Sequence, residues 1–180
     1  MPRFCAYCGG AIGVRAPVVC PSCGAEHWLQ ASRGGAALVV HAGRLLLVRR
    51  AQQPWLGDWC APAGFCDGPE HPADTAVRET REEAGLRVRI TGYLGHWVSE
   101  YLPGDEEGVE PQYAAVSYYH AVPVDAVEPA ADLHEISEAR WFGIDEIPPG
   151  LAPPETFPVV LAAWREAARA GRLAAPLPDL

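Results

Sequence analysis

Short apolar runs separated by turn residues predict a set of β-strands along most of the chain. The run Ala36–Val40 and the Leu- and Val-rich segment Arg44–Arg49 flank an Ala-Gly turn, an arrangement typical of a hairpin. Residues 86–91 alternate between apolar and polar side chains, which predicts a half-buried strand. Further strands are predicted at Trp59–Pro62, Tyr93–Tyr101, Gln112–Ala121 and Glu135–Phe142.

Two segments carry helix signals instead. Pro72–Ala84 begins with proline at the first helical position, has Asp74 in its first turn and is followed by Gly85 as a stop signal. Phe157–Ala170 has the amphipathic pattern of a second helix. Strands mixed with two helices predict an α/β or α+β sandwich.

The composition narrows the class of protein. The chain has 180 residues, 49% of them hydrophobic, which is enough for one domain and a small appendage. Its 14 basic residues, all Arg, and 23 acidic residues give a formal charge of −9, which argues against nucleic acid bound by charge alone. No apolar run approaches the ~20 residues of a membrane span, and the N-terminus has no signal core. We therefore expect a cytoplasmic protein with no membrane partner.

Four of the six cysteines form two CxxC pairs near the N-terminus, and each pair is followed by glycine. The four are Cys5, Cys8, Cys20 and Cys23. Thiolates two residues apart can bind one metal from a tight turn, and four thiolates complete a closed tetrahedral Zn²⁺ shell. The pattern predicts a structural zinc ribbon over residues 1–34, with a role in folding or in forming a homodimer.

Other interpretations of the cysteines remain open at this point. His27 could replace one of the four ligands, and the CxxC pairs could instead be a redox dithiol or two unrelated buried pairs. Cys60 and Cys66 lie far away in sequence and are predicted to be small buried hydrophobic residues.

The first predicted helix carries an acidic cluster. Glu79, Glu82 and Glu83 have i, i+3 and i+4 spacing and share one face. Small residues fill a second face, so we expect the helix to pack that face on a sheet and to present the carboxylates outward. Arg78 and Arg81 are placed on other faces by the same spacing. Such a cluster is either a solvated acidic surface or a ligand set for Mg²⁺ or Mn²⁺.

The residues around this helix favour the metal site. The segment Gly64–Leu86 resembles the Nudix box of the Nudix hydrolase family, with an aliphatic position replaced by Thr80. The fixed positions that match are Gly64, Glu70, Arg78, Glu79, Glu82, Glu83 and Gly85. The resemblance extends over residues 35–170, which are expected to form the Nudix domain between the ribbon and a C-terminal tail at 171–180. An N-terminal zinc ribbon is similar to the arrangement in NADH pyrophosphatases.

The resemblance implies an α/β/α sandwich around a mixed sheet and a divalent metal site. The implied Mg²⁺ or Mn²⁺ ligands are Glu79, Glu82, Glu83 and the carbonyl of Gly64. Arg78 is expected to orient these carboxylates through charge-assisted hydrogen bonds, while Glu70 and Gly85 support the loop and the helix end.

A general base must also take a proton from the attacking water. The family resemblance allows either Glu79 or an acid from a distant loop. The candidates in that loop are Glu106, Glu107 and Glu110.

The function implied is Mg²⁺-dependent cleavage of a nucleoside diphosphate linked to another group, with ADP-ribose or an NADH-like dinucleotide favoured. A run typical of NADH pyrophosphatases after the box is missing, and residues 92–97 stand in its place. The alternatives are a nucleoside triphosphate or capped-RNA hydrolase and a non-catalytic nucleotide-binding regulator. Four aromatic residues could stack on a base or could pack in the core: Phe65, Trp97, Tyr101 and Tyr119.

Overall fold

A computed structural model describes residues 4–12, 18–28, 30–101, 112–125 and 128–172. Its strands are β1 (Val18–Val19), β2 (Glu26–His27), β3 (Ala31–His41), β4 (Arg44–Arg50), β5 (Trp59–Cys60), β6 (Ala63–Phe65), β7 (Val88–Tyr101), β8 (Gln112–Pro123) and β9 (Ile136–Gly143). Its helices are α1 (Pro72–Ala84) and α2 (Phe157–Arg169). No helix within these ranges is long and apolar enough to cross a membrane.

Seven of the strands form one mixed sheet whose central path runs β5-β4-β3-β8-β7. Strand β3 runs parallel to β8, whereas β6 pairs antiparallel with β3 and places Gly64 opposite Gly35. Strand β9 pairs antiparallel with β4. The short β6 therefore brings the loop before α1 against the middle of the sheet.

A helix covers each face of this sheet. On one face Leu38 and Tyr118 pack with Trp164 of α2, and on the other Val39 packs with Ala76 of α1. Because neither face meets solvent, successive residues of β4 are buried, and the strand is a continuous apolar run instead of an alternating one. The predicted α/β/α sandwich is confirmed.

Most of the predicted elements are present, with changed limits. Helix α1 has the predicted bounds, and the β3–β4 hairpin turns at Ala42 and Gly43, both with positive φ. The two strands predicted at residues 86–91 and 93–101 are one strand, β7. Its pairing with β8 shifts between Ile90 and Gly92, and through this irregularity the strand continues across the gap between the two predicted strands. Strand β3 begins at Ala31 and so runs through the proposed domain boundary after residue 34.

The cysteine-rich segment has a small core of its own. Cys5, Ile12 and Cys20 are buried together, and β1 pairs with β2 across the second CxxC pair. Cys60 and Cys66, predicted to be buried, are only partly buried; Cys60 of β5 lines a cavity, and Cys66 follows β6 directly.

Candidate active site and cysteine cluster

Helix α1 lies unusually close to strand β3. The His71 imidazole accepts a hydrogen bond from the Ala73 N–H at the helix start, and Gly85 ends the helix with φ 67°. A Cβ on residue 35 would collide with the Pro72 carbonyl oxygen, so Gly35 allows the first turn to contact the strand. This contact fixes how the acidic face of the helix meets β6.

Two of the three helix carboxylates are buried against β6. Glu79 and Glu83 are 9% and 6% exposed. Glu83 accepts a hydrogen bond of 3.0 Å from the Ala63 N–H, and the Glu79 carboxylate occupies the space that a Cβ on Gly64 would fill. The expectation that all three carboxylates point outward is wrong, because the loop through β6 folds over this face; only Glu82 is exposed.

Arg78 joins these carboxylates to the loop. Its Nη1 donates to Glu79 at 2.6 Å and to Glu82 at 2.9 Å, while Nε and Nη2 donate to the two oxygens of Glu70. Nη2 also donates to the Phe65 carbonyl oxygen at 3.0 Å. Although the helical spacing places Arg78 on another face, its long side chain reaches these carboxylates. One guanidinium thus sets the positions of three carboxylates.

Glu70 is held as a charged group. The guanidinium of Arg78, the Asp67 N–H and the Thr75 hydroxyl donate to it and lower its pKa to about 2. Glu70 therefore supports the loop through ionic and backbone contacts.

Burial shifts the pKa of the two enclosed carboxylates, Glu79 and Glu83, in the opposite direction, upward. It raises the pKa of Glu83 well above its ordinary value, and the neighbouring Glu79 charge adds to this shift. Burial also raises the pKa of Glu79, although Arg78 opposes the change. Two carboxylates forced together out of water have the chemistry of a site for a divalent cation.

These carboxylates form one wall of a cavity of about 300 Å³. Glu135 also lines this cavity, and its charge raises the pKa of both Glu79 and Glu83. Arg50 is the one cation among the described lining residues. Glu135 was not among the predicted site residues. The sequence marked it only as the acidic first residue of a predicted strand.

Aromatic side chains form the rim of this cavity. Tyr101 makes edge contacts with Trp55 and with Phe65, at ring-centroid distances of 5.5 and 5.7 Å. Trp97 and Tyr119, by contrast, pack into the two cores on either side of the sheet. Of the four aromatic candidates, Phe65 and Tyr101 thus remain available to a ligand, and Trp55 joins them.

The remaining predicted site residues are Gly64 and the three loop acids. Gly64 lies at the cavity, and its carbonyl oxygen is 2.8 Å from where a Cβ on Gly34 would lie, so a second glycine allows this close approach. The loop acids Glu106, Glu107 and Glu110 lie outside the described residues.

The four N-terminal cysteine sulfurs converge at one point, all within 4.8 Å of one another. The Sγ atoms of Cys5 and Cys23 are 3.6 Å apart, and those of Cys8 and Cys20 are 3.7 Å apart. Sulfurs bound to zinc at about 2.3 Å in a tetrahedron are about 3.8 Å apart, so the donor set fits Zn²⁺. His27 Nε2 lies 3.3 Å from the Cys5 sulfur, as an outer hydrogen-bonding partner would.

Comparisons with known proteins agree with this fold and site. The family model described as the NUDIX domain matches residues 31–162. A NUDIX hydrolase from Nitrosomonas europaea has a similar structure, with a TM-score of 0.72 and 27% identity over 96% of this chain and 95% of that one.

Three relatives indicate the range of activities among similar sequences. The NAD-capped RNA hydrolase NudC of Stutzerimonas stutzeri is 29% identical over 81% of this chain and 50% of its own length. The human mitochondrial NAD(P)H pyrophosphatase NUDT13 is 31% identical over 72% of this chain and 34% of its own length. The RNA pyrophosphohydrolase of Acidiphilium cryptum is 33% identical over 77% of this chain and 90% of its own length.

This chain spans half of the length of NudC and about a third of NUDT13. The residues matched by the NUDIX family model contain the seven-stranded sheet, helix α1 and the carboxylate cluster, and the four cysteines precede them. By its family-model match and its fold, this chain belongs to the Nudix family.

Proposed function

We propose that this chain is a Mg²⁺-dependent hydrolase that cleaves the phosphoanhydride bond of a nucleoside diphosphate linked to a second group. The observation that carries the proposal is a pair of buried carboxylates on the wall of a cavity, with Glu79 held by Arg78 and Glu83 held by the Ala63 N–H. Negative groups cannot bind a diphosphate unaided, so the site needs a cation between them.

Glu79, Glu82, Glu83 and the Gly64 carbonyl would hold this cation. A bound Mg²⁺ or Mn²⁺ polarises a phosphoryl oxygen and acidifies a coordinated water. Arg78 keeps Glu79 and Glu82 in place, while Arg50 adds a positive charge at the cavity for the anionic substrate.

Hydrolysis also needs a general base that takes a proton from the attacking water. Glu135, directly before β9, lines the same cavity as the cluster, and its charge acts on both buried carboxylates. It therefore joins Glu79 and the loop acids Glu106, Glu107 and Glu110 as a candidate to accept a proton from water.

The substrate class we favour is an ADP-ribose-like or NADH-like dinucleotide. The aromatic rim formed by Trp55, Phe65 and Tyr101 offers stacking surface for a base. Two relatives act on NAD-linked compounds by their names. The second candidate is RNA or a nucleoside triphosphate, which the 33% identical RNA pyrophosphohydrolase favours. A non-catalytic regulator would not need the intact carboxylate set.

The test is to incubate the protein with ADP-ribose, NADH, ATP and 5′-capped or triphosphorylated RNA in ¹⁸O-labelled water. With Mg²⁺ or Mn²⁺, ADP-ribose should give AMP and ribose 5-phosphate, and the label should appear on a phosphate product. A chelator should abolish the reaction. Label on a sugar carbon, or no cleavage in the whole panel, would refute the hydrolase proposal, and nucleotide binding without turnover would then support the regulator.

We propose separately that Cys5, Cys8, Cys20 and Cys23 hold one structural Zn²⁺. Metal analysis of the purified protein should give about one zinc per chain. Cys20→Ser should lose this zinc and destabilise residues 1–34 without abolishing hydrolysis, because the cluster is a unit separate from the carboxylate site. Cys66→Ser is the matched control and should keep the metal. Zinc-free folded protein with four freely titratable thiols contradicts the assignment.

A further inference from the structure

A second cavity, of about 320 Å³, lies beside the carboxylate cavity. Its walls come from the end of β7 and from the segment that leads into α2. Three residues line both cavities: Trp55, Ser99 and Pro153. Because they share these walls, the two cavities adjoin, and we take them as two compartments for a ligand longer than a diphosphate.

Trp55 stands at the junction of the two compartments and is held there. It has a positive φ of 61°, a conformation that costs free energy for a bulky residue. The Arg50 guanidinium lies 5.7 Å from its ring centroid, and Tyr101 makes an edge contact with the same ring. The surrounding contacts thus fix an indole where a flat ligand group would pass between compartments.

The second compartment has a chemistry different from that of the first. Among its described lining residues, Glu100 and Glu155 carry carboxylates, and none carries a positive charge. The buried Ser99 hydroxyl lies 2.8 Å from the Thr156 hydroxyl, so neutral hydrogen-bonding groups are present. Such a lining accepts apolar, neutral polar or cationic groups and repels anions.

The start of α2 does not reverse this preference. A helix N-terminus normally attracts anions through its free N–H groups. Here the Phe157 N–H donates to the Pro153 carbonyl oxygen, and Pro158 has no N–H. Glu155 precedes the helix and places a negative charge at the same end.

We propose that this second compartment binds the group beyond the diphosphate and selects a neutral or cationic moiety there over one that ends in phosphate. The proposal rests on the proposed hydrolase function for its substrate. It favours dinucleotide-type substrates over nucleoside triphosphates, and it assigns the selection to the carboxylates of Glu100 and Glu155, with Trp55 as the platform between compartments.

The test compares kcat/KM for ADP-ribose with that for ATP in the wild-type protein and in variants. ADP-ribose should be preferred by about 10-fold or more, and Glu100→Gln and Glu155→Gln should each reduce that ratio by about 3-fold, mainly by improving ATP. Glu166→Gln, which removes one exposed carboxylate elsewhere on α2, should leave the ratio unchanged. Trp55→Ala should raise KM for ADP-ribose more than for ATP.

The outcomes separate this proposal from the function on which it rests. If ADP-ribose and ATP are both cleaved and the two glutamate variants leave their ratio as in Glu166→Gln, the subsite proposal is wrong while the hydrolase proposal stands. If neither is cleaved, the hydrolase proposal fails. The same ratio is then measured from equilibrium affinities with Mg²⁺, since no turnover interferes, and an unchanged ratio overturns the subsite as well.

Discussion

Glu83→Gln is expected to lower kcat by about 10²-fold or more at saturating Mg²⁺. Gln has the same shape, and its side-chain oxygen can still accept the Ala63 N–H, so the local fold is preserved. What is lost is the negative charge that the buried site offers to a cation. Near-normal turnover in this variant would contradict the assignment of Glu83 as a metal ligand.

The stability of the same variant provides an internal control. Since burial raises the pKa of Glu83, its carboxylate is charged at neutral pH only at a cost to the metal-free folded state. The neutral Gln should therefore melt at the same or a higher temperature than the wild type without metal. The gain in thermal stability on adding Mg²⁺ should shrink. An inactive variant that is also less stable would point to misfolding instead.

Arg78→Lys is expected to reduce turnover by about 10- to 10²-fold although it conserves charge. The guanidinium makes hydrogen bonds to Glu70, Glu79, Glu82 and the Phe65 carbonyl oxygen at once. An ammonium group has three donors on a compact head and cannot span these acceptors. The carboxylates should then lose their fixed positions, and more Mg²⁺ should be needed for half-maximal activity.

Arg81→Lys is the matched control for this prediction. It lies on the same helix and is exposed, and turnover should remain within about twofold of the wild type. The Mg²⁺ titration distinguishes a positioning role from a general loss of stability, since a merely destabilised enzyme keeps its metal dependence. Equal activity of the two lysine variants would refute the positioning role of Arg78.

Features that depend on local spacing could be predicted well from the sequence. The bounds of α1 follow from Pro72 and Gly85, and the common face of Glu79, Glu82 and Glu83 follows from the helical period. The two CxxC pairs indicated a four-sulfur cluster in the same way. The carboxylates of α1, and the two cysteines within each CxxC pair, are neighbours in the chain, so backbone geometry sets their separation. The fold of the segment then brings the two CxxC pairs together.

Features that depend on long-range packing could not be predicted in this way. The sequence placed the carboxylates of α1 on a solvent face, whereas β6, which pairs with β3, covers Glu79 and Glu83. The helical spacing places Arg78 on a different face from these carboxylates. Its side chain lies against the end of β6, where it donates to the Phe65 carbonyl oxygen. The two strands expected at residues 86–91 and 93–101 are one strand because β8 continues to pair across the gap between them.

The sequence alone thus determined the class of fold, the helix that carries the acidic cluster and the four cysteines that cluster near the N-terminus. The tertiary structure decided which carboxylates are buried. It also brought Glu135 and Trp55, from segments distant in sequence, to the lining of the carboxylate cavity. The physical reason is that the spacing of residues within a helix or turn is fixed by the backbone. Burial and charge at a site depend instead on segments far apart in sequence, which only the packed sheet brings together.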